Sequence, residues 1–202
     1  MNRTVADTML GLVVFVDPGH GGYDPGTERE QILEKNINLQ ISEKLFDKML
    51  SEGMTGLMAR TGDYDLSSAY SKNHKLEDLK KRAEYINHSG ANILVSVHLN
   101  ALSDSSVHGP MVYYRAKDQL SGELASAIQD RLNVLTGLDK IIHEENYYLF
   151  KATKIPAVLV ECGFLSNAEE RNRLLNEKYQ EKIARAIFEG VKVFWLDKIS
   201  AL

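Results

Sequence analysis

The chain has 202 residues, a net charge of −4, six histidines and one cysteine. That length suits one domain burying roughly 70% of its unfolded surface, so folding needs neither disulfides nor a structural metal. One cysteine excludes a disulfide framework or cysteine-rich zinc module, and the acidic balance argues against a nucleic-acid partner, which leaves a basic footprint.

Met9 to Val16 is the longest early apolar run; it contains Gly11 and falls far short of the ~20 residues a bilayer requires. Asp7 just ahead of it, with no small-residue cleavage site behind, does not fit a signal peptide. Composition alone therefore leaves a cytosolic protein or a domain separated from its leader. Leu12 to Val16 is an uninterrupted, β-branched run stopped by Asp17-Pro18-Gly19, the pattern of a strand buried on both faces. A glycine-rich loop spans Gly19 to Thr27. From Glu34, the spacing of Ile37, Ile41, Leu45 and Met49 predicts a helix that Gly53 ends.

Thr55 to Ala59 reads as a second strand and 60–75 as a long polar loop. Leu76, Leu79, Ala83 and Ile86 predict a second helix closed near Gly90, and Ile93 to Val97 another buried strand. Met111 to Tyr114 is expected as a strand, Leu120 to Leu135 as a helix, and Tyr147 to Phe150 as a weak strand. Ala157 to Val160 is a strong strand, and helices over 169–175 and 178–195 finish the chain. No repeat or linker divides it. The expectation is one α/β domain over 1–202, with a core of about 12–196, built on a twisted, mostly parallel sheet with helices on both faces.

Three buried strands run into side chains able to bind metal: His20 after the first, His98 after the third, and Glu161 after the late strand. Ligands in open α/β sheets bind beyond the carboxyl ends of the strands, and a helix following a parallel strand starts at that same edge. Glu34 therefore joins the other three. Two imidazoles and one carboxylate form a catalytic zinc set, with the fourth position left for water. A second, unligated carboxylate can then move the proton. Glu34, held ionised by its helix N-terminus, suits the ligand role; Glu161, partly desolvated after four apolar residues, suits the proton shuttle.

His74, His88 and His108 read as ordinary loop or helix-end residues, and His143 is balanced between substrate contact and plain surface. Cys162, following a buried strand, reads as a small hydrophobe rather than a nucleophile. Gly19-His20-Gly21-Gly22 has neither the Lys-Ser/Thr ending of a phosphate loop nor dinucleotide spacing.

Four segments together resemble the zinc-dependent N-acetylmuramoyl-L-alanine amidases of bacterial cell-wall turnover. They are Val14 to Gly22, Leu33 to Asn36, Ser96 to Ala101 and Pro156 to Asn167, and they occur in the family's order. The resemblance implies zinc held by His20, Glu34 and His98, and Glu161 as the catalytic carboxylate. It implies cleavage of the amide between the lactyl group of N-acetylmuramic acid and L-alanine of the stem peptide, outside the cytoplasm. The stretch Glu77 to Asn87 looks most like the sporulation-specific cortex amidases of endospore formers, which work with a peptidoglycan deacetylase toward muramic-δ-lactam.

Some relatives carry an inhibitory helix between the second histidine and the catalytic glutamate. Here strand, helix and strand fill most of that segment, so control is expected from outside the domain, through location, expression or an accessory protein. Three other readings stay open: a zinc carboxypeptidase or aminopeptidase, a catalytically silent wall-binding module, and a cysteine peptidase using Cys162.

Overall fold

The structure is a computed structural model and describes Met9 and residues 11–200; Asp7 lies outside them. A six-stranded sheet organises the chain. Its strands are β1 (Val13–Pro18), β4 (Thr55–Met58), β5 (Ile93–Asn100), β6 (Met111–Arg115), β7 (His143–Glu145) and β8 (Ala157–Phe164), in the order β4-β1-β5-β8-β6-β7. β2 (Glu28–Arg29) and β3 (Ile32–Leu33) form a separate small hairpin. The helices are α1 (Glu34–Ser51), α2 (His74–His88), α3 (Gln119–Thr136), α4 (Tyr148–Ala152), α5 (Ala168–Leu174) and α6 (Glu177–Ser200). None of the described helices is long and apolar enough to cross a membrane.

Every neighbouring strand pair of the sheet is parallel except β6 with β8. The exception has a simple cause: a parallel partner needs a crossover, and the chain goes from β5 to β6 through a loop with no helix.

Period-two alternation splits the interior into two layers. Val14, Val16, Val95, Val97, Val158 and Val160 face one side, where Ile41, Leu45, Ile128 and Ile187 of α1, α3 and α6 cover them. Phe15, Leu94, Ala157 and Leu159 face the other, with Ala83 and Ile86 of α2 and Phe150 of α4. Cys162 falls in the first layer, fully buried, and burial pushes its thiol well above the usual range. It is core, as expected.

Gly190 sets how closely α6 approaches α3: a Cβ there would stand 2.5 Å from Ile128 Cα. Gly190→Ala should therefore cost about 1–3 kcal/mol through overpacking, read as a lower denaturant midpoint at unchanged slope. An unchanged midpoint would show that the two helices separate freely.

The expected strands and helices are present except at Tyr147 to Phe150. That run forms the single helical turn α4 rather than a strand, while the strand of this region is β7, a few residues earlier. The aromatic side chains pack under the sheet end, with Tyr147 edge-on to both Tyr113 and Phe150.

Candidate active site

β5 and β8 lie side by side with His98 opposite Glu161, so both side chains leave the same face. Glu161 lies within β8 rather than beyond its end, because pairing resumes past it, with Asn100 opposite Phe164. The offset leaves one extra residue on β8 at Cys162-Gly163, a bulge of the kind that re-aims side chains beside active sites. β1 ends alongside, and His20 follows in a backbone conformation uncommon for a non-glycine residue, φ +62°. Glu34 opens α1 with the positive end of the helix dipole behind it.

These placements bring His20, Glu34 and His98 together: one ligand atom from each lies within 4.8 Å of the other two. Glu34 Oε1 is 3.2 Å from His20 Nε2 and 3.0 Å from His98 Nδ1. The same oxygen accepts the Leu99 N–H (3.1 Å) and Asn38 Nδ2 (3.2 Å), while Oε2 accepts the Thr27 N–H at 2.8 Å. Burial opposes ionisation of Glu34, but the hydrogen bonds from His20 and His98 outweigh it and hold the carboxyl far below the usual range.

His20 Nδ1 lies 2.8 Å from Asp24 Oδ2, an arrangement that fixes the ring and frees Nε2 to face the cluster. Burial lowers the affinity of His20 for its proton, yet Asp24 and Glu34 push it up to about 9. Binding a cation here therefore displaces a proton. Gly19 gives the cluster its space, since a Cβ at that position would collide with the His98 ring. Two imidazoles and an ionised carboxylate around one point are a borderline-soft donor set of the kind zinc takes.

Glu161 has the opposite electrostatics. Burial, reinforced by the nearby Glu34 charge, pushes its carboxyl up to about 8, and its Oε2 has no hydrogen-bond partner among the described residues. A cleft of about 290 Å³ opens over these groups. His20, His98 and Glu161 line its polar end; Leu79, Tyr147 and Tyr148 line its apolar wall.

Beneath the cluster is a buried ionic network that the motifs alone do not reveal. Arg82 donates to Asp17 Oδ1 (2.6 Å), to Asp78 Oδ2 (2.8 Å), and to the carbonyls of Pro18 (2.8 Å) and His20 (2.6 Å). Arg60 donates to the carbonyls of Pro18 (3.0 Å), Gly19 (2.9 Å) and Lys35 (2.8 Å). Ser96 Oγ donates to Asp17 Oδ2 at 2.7 Å. Two guanidinium groups thus grip the turn that presents His20. The one sequence signal is phase: Arg82 lies three residues after Leu79 and four before Ile86, on the core-facing side of α2.

The remaining histidines separate from the site. His74 is bound to Ser67 and rests on the Tyr23 ring, and His88 and His108 pair with local backbone carbonyls. His143 lies on β7, its ring 5.5 Å from that of Tyr113, and is absent from the cleft lining.

Comparison with known proteins places these features. Residues 14–193 match the family model described as N-acetylmuramoyl-L-alanine amidase. The germination-specific N-acetylmuramoyl-L-alanine amidase of Bacillus subtilis is 34% identical over 195 residues, covering 94% of this chain and 82% of its own. The CwlD amidase from Clostridioides difficile, solved in complex with the GerS lipoprotein, superimposes with a TM-score of 0.89 at 36% identity, over 95% of this chain and 100% of that one. An N-acetylmuramoyl-L-alanine amidase from Clostridium difficile 630 superimposes with a TM-score of 0.82 at 38% identity, over 92% and 97%.

Proposed function

Because the chain belongs to the N-acetylmuramoyl-L-alanine amidase family, we propose that His20, Glu34 and His98 hold a zinc ion and that Glu161 carries the proton in cleavage of the muramoyl–L-alanine amide. The observation that carries this reading is the contrast between the two carboxylates at one sheet edge. Glu34 is saturated with donors and ionised. Glu161 is buried, short of partners and pushed up to about 8. The first is built to hold a cation, and the second to gain and lose a proton near neutrality.

Zinc in such a site supplies Lewis-acid activation of water and of the substrate carbonyl at neutral pH. The chain's own residues do the rest. Asp24 orients His20, and Glu34, fixed by the Thr27 and Leu99 amides, orients both imidazoles. Glu161 accepts the proton of the attacking water and returns it to the departing L-alanine amine, so that product leaves as a neutral amine. Leu79, Tyr147 and Tyr148 keep one side of the cleft apolar, which strengthens the polar interactions at the other.

The similarity to the germination-specific amidase supports a place in spore-cortex modification, with a peptidoglycan deacetylase completing muramic-δ-lactam. Action on peptidoglycan puts the enzyme outside the cytoplasm, with a single catalytic domain over the matched residues 14–193. The lipoprotein in complex with the C. difficile relative supports an accessory partner here too. Control from outside also fits the segment between His98 and Glu161, where α3 is buried against α6 instead of lying over the cleft.

The test is zinc content measured beside product analysis on purified muropeptides. The wild type should release intact stem peptide with L-alanine at its amino end and hold one zinc ion. His98→Ala should lose the zinc and the activity together. Release of single amino acids from the peptide would instead indicate a peptidase, and full activity after complete chelation would remove the metal from the mechanism.

A further inference from the structure

The glycine-rich turn and the loop preceding α2 border a second, shallow and open groove, of about 440 Å³, lined by Gly22, Tyr23, Asp63, Tyr64, Asp65 and Ser67. Tyr23 is 70% and Tyr64 44% exposed. Both belong to a rigid frame. The Gly22 N–H donates to Asp63 Oδ1 (2.9 Å) and the Tyr23 N–H to Asp65 Oδ2 (3.1 Å). Lys35 Nζ ties Asp63 Oδ2 (2.8 Å) to the Gly22 carbonyl (3.0 Å). The Tyr23 ring lies over His74, centroids 4.2 Å apart, and the Tyr64 hydroxyl accepts the Thr61 N–H at 3.0 Å.

The groove continues the rim of the catalytic cleft. Tyr23 directly precedes Asp24 and His74 directly precedes Lys75, and Asp24 and Lys75 both line the cleft. A polymeric substrate needs surface beyond the reacting bond, and this is where the adjoining surface carries aromatic rings. Pyranose rings present C–H faces to aromatic side chains and hydroxyl edges to carboxylates. Asp63, half-exposed, is such an acceptor. Asp63 is paired with Lys35, which leaves Asp65 to give this rim a negative charge that disfavours stem-peptide carboxylates and tolerates neutral N-acetyl sugars.

We propose that Tyr23 and Tyr64 form a glycan subsite that binds the sugar strand next to the muramoyl unit under attack. The inference rests on the amidase reading and adds the part of the substrate that the metal cluster does not touch. A defined probe is the hexamer of β-1,4-linked N-acetylglucosamine, titrated calorimetrically into the full-length protein. The wild type should bind it, and Tyr23→Ala/Tyr64→Ala should raise the dissociation constant about tenfold, equivalent to ~1.4 kcal/mol. Tyr23→Phe, which keeps the ring face and leaves the Tyr64 hydroxyl contact with Thr61 intact, should bind as the wild type does.

On muropeptide substrates, the alanine pair should raise KM for a long strand while leaving kcat on a single disaccharide-peptide unchanged. Failure of the wild type to bind the hexamer, unchanged binding by the alanine pair, or equal loss in Tyr23→Phe would overturn the subsite. Hexamer binding without cleavage of any muropeptide would leave the subsite standing and remove the amidase reading instead.

Discussion

Glu161→Gln should lower amide hydrolysis about 10²–10⁴-fold, the usual contribution of a positioned acid–base group, while zinc content stays at the wild-type level. Gln keeps the shape of the side chain and removes only its proton chemistry. No hydrogen bond ties Glu161 to His20, Glu34 or His98, so that cluster should survive the change. Burial and the Glu34 charge push the wild-type carboxyl up to about 8, against the lowering influence of His20. It can therefore be charged when water must lose a proton and neutral once the amine must gain one. Metal analysis and initial rates on one preparation decide the matter. Normal hydrolysis in the Gln variant would end the shuttle assignment, and loss of zinc would make Glu161 a ligand.

Arg82→Met should destabilise the fold by about 3–5 kcal/mol, the range for removing one partner of a buried ion pair. Arg82 and Asp17 are each only 2% exposed at the side chain, and Asp78 is 8% exposed. Burial works against ionisation of Asp17, and Arg82 outweighs it, holding the carboxyl below its usual range. Without the guanidinium, the buried Asp17 and Asp78 carboxylates lose their cationic partner, the His20 carbonyl loses its Arg82 donor, and the Pro18 carbonyl keeps only Arg60. Met fills much of the same volume, which isolates the charge effect from a cavity. Chemical denaturation gives the number; a change under about 1 kcal/mol would mean that water or Arg60 takes over the contacts.

Much of the site was legible because parallel topology is a strong constraint. Once Leu12 to Val16, Ile93 to Val97 and Ala157 to Val160 are read as buried parallel strands, the residues at their carboxyl ends must share an edge. His20, His98 and Glu161 follow from that placement, and Glu34 follows from the start of the next helix. Cys162 was legible from its place after a buried strand. What escaped was short or non-local. Tyr147 to Phe150 is too brief for period to separate a strand from one helical turn, and β2, β3 and β7 are shorter still. The reversed direction of β6 follows from a missing crossover helix rather than from any residue in the strand. The Arg82–Asp17 and Arg60–Gly19 contacts join segments far apart in sequence, and no local pattern announces such a pairing.

The grip of Arg60 and Arg82 on three consecutive carbonyls, those of Pro18, Gly19 and His20, also bears on ion capture. Ordering a backbone costs roughly 1–2 kcal/mol of entropy per residue. Here that cost is met when the chain folds, because the turn is clamped by the protein's own side chains before any ion arrives. Capture of the proposed ion at His20 would then be spared the loss of loop freedom, and the uncommon backbone angle of that histidine is held by the protein's own contacts. The folded state and the proposed metal site would then be separable quantities, in contrast to small modules whose chains collapse only around an ion.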